Sequence, residues 1–189
     1  MSRSYRLKVR ETLRKVLRAE DHVSSQLELL EILPCDQMAE LLAKELGSRG
    51  FQRKGNTVVR EEKGMTVTVE LETGDVTVAV AGEQKVELTS EQEGRYYDET
   101  VGGKAAAEKQ LREVLAKGME NDAAKKREEL QKQVTDRLEG ELVDIKRELD
   151  QAVNKATAAA LKLKASQIGQ IKEMTEDPQT GSLTLVVEV

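Results

Sequence analysis

Aromatic side chains are scarce here: three tyrosines, one phenylalanine and no tryptophan in 189 residues. A pocket enzyme, or a protein that stacks single-stranded bases, draws on more ring surface than Tyr5, Phe51, Tyr96 and Tyr97 supply. One cysteine and one histidine exclude a disulfide framework, a multi-ligand zinc site and a Cys–His nucleophile with a spare base. No apolar run approaches the roughly 20 residues that cross a bilayer, and the first residues lack an apolar signal core, so a cytoplasmic location is expected. Only two prolines interrupt the chain, Pro34 and Pro178.

The residues that could carry chemistry stand apart from one another. His22 lies in a charged stretch beside Asp21, with no second ligand or nucleophile nearby. Cys35 sits between Pro34 and Asp36 at an expected helix start, where the dipole lowers a thiol pKa, but no base accompanies it. Glu61-Glu62, Glu91/Glu93 and Asp98-Glu99 are neighbouring acids whose spacing does not by itself make a two-carboxylate site. Gly102-Gly103-Lys104 fails as a phosphate loop, because position 98 is Asp rather than Gly and Ala105 stands where Ser or Thr is required. No enzyme, metal site or cofactor is therefore expected.

Charge, by contrast, is abundant, at 34% of the residues with a net of −5. It is unevenly placed: the first eighteen residues hold Arg3, Arg6, Lys8, Arg10, Arg14, Lys15 and Arg18 against Glu11 alone. A basic segment on an acidic body can meet nucleic acid or an acidic partner, and it can equally be the solvated side of a strand. Arg6, Lys8, Arg10 and Arg14 are the candidate contacts to an anionic partner. A pI near 5.2 weighs against nucleic acid, whose readers are usually basic domains.

The hydrophobic periods divide the chain. Tyr5, Leu7, Val9, Leu13 and Leu17 alternate with polar residues and predict a strand over 4–17. Glu20-Asp21-His22 reads as a turn, and Val23–Leu33 as a returning strand. Asp36 is the expected N-cap of a short amphipathic helix over about 36–47, carrying Met38, Leu41, Leu42 and Leu46 and closed by Gly47. Phe51 is expected to anchor the junction that follows. Strands are predicted at 57–59, 65–71, 76–80 and 86–88, separated by Lys63-Gly64, Thr73-Gly74-Asp75 and Gly82-Glu83, which makes an antiparallel meander. A polar connector covers 90–103.

Residues 104–166 hold no proline and are rich in strong helix formers. Leu130, Val134, Leu138, Leu142, Ile145, Leu149, Val153, Ala156, Ala160 and Leu163 recur at steps of three and four, a stripe that reads as a coiled-coil seam or helical hairpin. A surface helix packed on its own sheet shows the same stripe. It is the lesser reading, because one small sheet cannot cover a helix of about 90 Å. A break at Lys117–Asp122, or at Gly140, would fold the helix back, and both arrangements stay open. The chain then ends in two strands, at about 168–174 and 183–189, joined by the turn Asp177-Pro178-Gln179-Thr180-Gly181.

The order of these pieces carries a resemblance. A short helix ending Leu46-Gly47-Ser48-Arg49-Gly50-Phe51, a β meander, a helix and a terminal hairpin with Asp177-Pro178-Gln179-Thr180-Gly181-Ser182-Leu183-Thr184-Leu185-Val186-Val187 resemble the small accessory domains encoded beside AAA+ ATPase genes in bacteria, the FtsH ternary systems. The likeness covers residues 36–103 and 167–189, and it leaves out the N-terminal β segment and the long helical region. It implies an accessory or adaptor component working with an ATPase, and it transfers no catalytic residue.

Together these readings predict an α+β protein. Residues 1–103 form an antiparallel β domain with one short helix, 104–166 a long coiled-coil-like arm or hairpin, and 167–189 a hairpin completing the sheet. The expected function is non-enzymatic: a scaffold or adaptor in a bacterial ATPase-linked assembly. Leu138, Leu142, Ile145, Leu149 and Val153 would bind a protein partner, an AAA+ ATPase or a second copy. Nucleic-acid binding through the basic strand is the alternative.

Overall fold

A computed structural model describes residues 4–97, 103–176 and 183–188. The protein is α+β. Strands β1 (Ser4–Gln26), β2 (Gln52–Lys54), β3 (Thr57–Glu62), β4 (Met65–Glu70) and β5 (Asp75–Tyr97) form one sheet in the order β1-β5-β4-β3-β2. Helix α1 (Cys35–Gly47) precedes β2, and helix α2 (Gly103–Ile168) precedes a hairpin of β6 (Gln170–Glu176) and β7 (Leu183–Glu188). The residues divide into two compact units. One holds Met1–Glu20 with Ala81–Thr135, the other Asp21–Val80 with Asp136–Val189. These units cut across the expected divisions at 103 and 166.

In the first unit, β1 and β5 run antiparallel. Tyr5 stacks on Tyr96, Thr12 meets Thr89, Arg14 meets Glu87 and Arg18 meets Glu83, each step up β1 matched by an equal step down β5. Val9, Leu17 and Ala19 of β1 and Val86 of β5 are buried, while the alternate positions Arg10, Arg14, Arg18, Glu83 and Glu87 are exposed. The N-terminal half of α2 covers the apolar side: Leu115 and Met119 pack with Val9, Leu7, Leu13, Leu88 and Leu111.

Two glycines let the helix approach. A Cβ on Gly82 would stand 2.8 Å from Val134 Cγ2, and one on Gly94 2.8 Å from Leu111 Cδ1. Gly82-Glu83 was expected as a turn, but β5 continues through it to Tyr97, because this glycine supplies space for a helix rather than a change of direction. The expected connector 90–103 is strand as far as Tyr97, and its residues 98–102 lie outside the described ones.

The second unit is built on valines. Register places Val58 opposite Val69, Val69 opposite Val76, Val67 opposite Val78 and Met65 opposite Val80, so all share one face, and all are buried. A two-residue turn with positive φ at Lys63 and Gly64 joins β3 to β4, as the sequence predicts. Helix α1 buries Met38, Ala39, Leu42 and Leu46, and Phe51 is buried just beyond its end.

Four local expectations are corrected here. Pro34, not Asp36, holds the N-cap position, and Asp36 lies in the first turn as a favourable negative charge. Gly50, with φ of 86°, rather than Gly47, takes the left-handed position after α1. Glu20-Asp21-His22 is not a turn: it contains no Gly, Pro or Asn, and β1 runs through it to Gln26. Beyond Gln26 the chain leaves the sheet instead of returning as a strand, with the Leu27 amide bonded to the Gly74 carbonyl at 2.8 Å.

Helix α2 is unbroken over its 66 residues, which settles the choice between one helix and a hairpin. A lone exposed glycine costs a helix about 1 kcal/mol, too little at Gly118 to outweigh burial of Leu115, Met119 and Ala123 around it. The terminal hairpin was expected to complete the main sheet. It forms a two-stranded sheet of its own, pairing Ile171 with Val187 and Met174 with Leu185. Its expected turn, Asp177–Gly181, lies outside the described residues.

Candidate functional site

The structure places the two predicted contact sets in opposite circumstances. Leu138, Ile145, Leu149 and Val153 are buried within the single chain, and Leu142 is half-buried. In the second unit Leu142, Ile145 and Leu149 line a groove of about 280 Å³ with Val23, Val76 and Val78 of the sheet. The stripe is expected to be a seam for another helix; in this unit three of its residues line a groove with the chain's own sheet. β1 and β5 are 23 residues each, longer than the strands expected at 4–17 and at 76–80 and 86–88.

The basic residues lie on the exposed side of β1. Arg14 Nη2 donates to Glu87 Oε1 at 3.0 Å and Arg18 Nε to Glu83 Oε2 at 3.2 Å, while Lys8 pairs with Glu91. The Glu91 carboxylate, through its hydrogen bond and then its charge, raises the Lys8 pKa above the ordinary lysine value. Arg6 and Arg10 have no ion-pair partner among the described residues. On the helix-facing side, Lys15 meets Glu120 at 3.0 Å and Arg112 meets Glu11 at 3.4 Å. The basic strand thus lies beside an acidic one, and much of its charge is met inside the chain.

A third constellation escapes sequence reasoning. Arg60, on the valine-rich face of β3, donates from Nη1 and Nη2 to the two oxygens of Glu148 on α2, at 2.7 and 2.9 Å. The same guanidinium stacks 4.6 Å from the Phe51 ring centroid and reaches the Arg49 carbonyl at 3.3 Å. Side-chain exposures of 18% for Arg60 and 30% for Glu148 place the fork largely out of water, where a bidentate pair has its greatest directional value. The hydrogen bond to Glu148 holds the Arg60 pKa above its ordinary value against the opposing effect of burial. The two residues are 88 apart in sequence, and no local pattern links them. Arg60 clasps α2, α1's end and the sheet within this unit.

The residues considered for catalysis stay separate. His22 lies exposed on β1, its own amide bonded to Asp21 Oδ1 at 2.9 Å. Cys35 is exposed, its thiol 3.8 Å from the Glu72 carbonyl. Gly103 and Lys104 open α2, while Gly102 lies outside the described residues. No group of three or more metal-ligating side chains comes together among the described residues. No described helix is long and apolar enough to cross a membrane.

What the geometry offers is a charged strand, a rigid clasp and a helix seated on its own sheet. No curated protein and no solved structure matches the chain. A family model does, over residues 1–189 and so including the N-terminal strand and the long helix that the sequence resemblance left out: the chain belongs to the FtsH ternary system domain X5 family.

Proposed function

We propose that this chain is a non-enzymatic protein–protein interaction component, a scaffold or adaptor, of an ATPase-linked assembly. The observation that supports the reading is the match to an FtsH ternary system domain along the full length of the chain. The partner is an FtsH-type ATPase or another member of its complex. Four of the five seam residues are taken up by the core, so the partner meets outward surfaces, where charged side chains dominate. Contacts of that kind steer encounter and fix orientation more than they add affinity, which suits a component that joins and leaves an assembly.

The test is a binding titration between the full-length chain and the purified FtsH-type ATPase from the same genome. A saturable complex with Kd near or below about 10 μM is expected. No complex up to about 100 μM, together with no stable self-association by light scattering, overturns the reading.

A further inference from the structure

Strand β1 is the terminal strand of the five-stranded sheet, and no strand pairs with its outer edge among the described residues. Natural sheets guard such edges by keeping them short, by proline or by charge, because an unpaired row of N–H and C=O groups is a template for another strand. Between Tyr5 and Arg18 this edge is long and free of proline, and it is rich in charge. We infer that the outer edge of β1 between Tyr5 and Arg18 receives an extended acidic segment of a partner protein by strand addition, which names the partner chemistry of the interaction reading and rests on it.

The chain's own pairing supplies the argument. Along its inner edge β1 already holds a strand that presents acids at intervals on the exposed side, through Arg18–Glu83, Arg14–Glu87 and Lys8–Glu91, with Thr12 meeting Thr89 between them. A second strand on the outer edge lies beside the same cationic row. Arg6 and Arg10 are exposed and have no ion-pair partner among the described residues. Arg14 and Arg18 keep 79% and 80% of their side chains exposed, so each can meet a second carboxylate without leaving the first.

The same row selects against a second copy. Two β1 edges side by side would set arginine against arginine, and like charges directly opposite destabilise a strand pair. An acidic strand satisfies both the backbone groups and the cations. Main-chain bonds then give affinity, and the alternate side chains give specificity.

The probe is a fluorescein-labelled peptide copying Glu83–Glu93, the chain's own solution to this chemistry, titrated by anisotropy into the full-length protein. Saturable binding is expected, weakened at least threefold between 50 and 300 mM salt because exposed charges are screened. The exposed double substitution Arg6→Glu with Arg10→Glu, checked for native circular dichroism, is expected to weaken it about tenfold, equivalent to 1.4 kcal/mol. A peptide with proline at alternate positions, which cannot donate to the edge, is expected not to bind. Equal binding by the double variant or by the proline peptide overturns the inference, as does an oligonucleotide of equal charge that binds more tightly than the acidic peptide. If the double variant still forms the complex with the ATPase while the peptide fails to bind, the edge assignment falls and the interaction reading stands. If no ATPase complex forms and the chain shows no stable self-association, the interaction reading falls.

Discussion

At the scale of single residues, Arg60 carries the most structural consequence. Its fork closes on Glu148 and reaches the Arg49 carbonyl while its plane rests on Phe51, so one side chain makes three hydrogen bonds and one ring contact. Removing it leaves Glu148 facing a partly desolvated site with no cation, and Arg60→Ala is expected to lower stability by about 2–3 kcal/mol in urea unfolding. Arg60→Lys is expected to recover less than half of that, because an ammonium reproduces neither the fork nor the stacking. The raised pKa of Arg60 fixes the sign of any pH effect: its contribution is fully present below the ordinary arginine value and is lost only above it. Neutral and acid unfolding curves should therefore show no arm from arginine titration. This cluster was invisible in the sequence because its members lie on β3, α2 and the loop after α1, and no spacing relates them.

At the scale of elements, α2 shows what periodicity reports and what it leaves out. The stripe from Leu130 to Ala160 was legible residue by residue, and Leu130, Val134, Leu138, Ile145, Leu149, Val153, Ala156 and Ala160 are all buried. A period of three and four says that one side of a helix is covered; it does not say by what. Two measurements separate that side from the other. Ile145→Ala is expected to cost about 2–5 kcal/mol as a core truncation, whereas Val143→Ala, at a position 63% exposed, should stay within about 0.5 kcal/mol. Gly118 and Gly140 are candidate breaks in the sequence, yet a Cβ at either meets nothing within 4 Å. Gly118→Ala and Gly140→Ala are each expected to stabilise the fold by about 0.5–1 kcal/mol, seen as a raised unfolding midpoint.

Gly82 responds in the opposite sense. There a Cβ presses on the stiff Val134 side chain at 2.8 Å, and Gly82→Ala is expected to lower the same midpoint. A glycine that makes room for a neighbour and a glycine that allows a turn look identical in sequence. That is why β5 was read as two strands and a loop.

At the scale of the whole molecule, stability is expected to be uneven. The valine face of β3, β4 and β5 with α1 holds most of the fully buried apolar side chains, including Leu42, Leu46, Val67 and Val69. The terminal hairpin is a two-stranded sheet with Met174 and Val186 exposed, an arrangement that is marginal in water. In hydrogen exchange, amides of β4 should be the slowest and those of β6 and β7 among the fastest, by at least a factor of about 100. Slow exchange across β6 would contradict this. The fold class and the order of elements were legible because they follow local patterns. The length of β1 and β5, and the membership of each stretch in one unit or the other, depend on pairings between distant residues.

The ion pairs between β1 and β5 have a consequence beyond the single molecule. Arg14 with Glu87, Arg18 with Glu83 and Lys8 with Glu91 join positions more than sixty residues apart in sequence. A reversal of sign at one member sets like charges side by side until the other reverses too. In an alignment of divergent family members these three pairs should change together, so that drift in the first strand of the chain is written again, as its opposite, in the fifth.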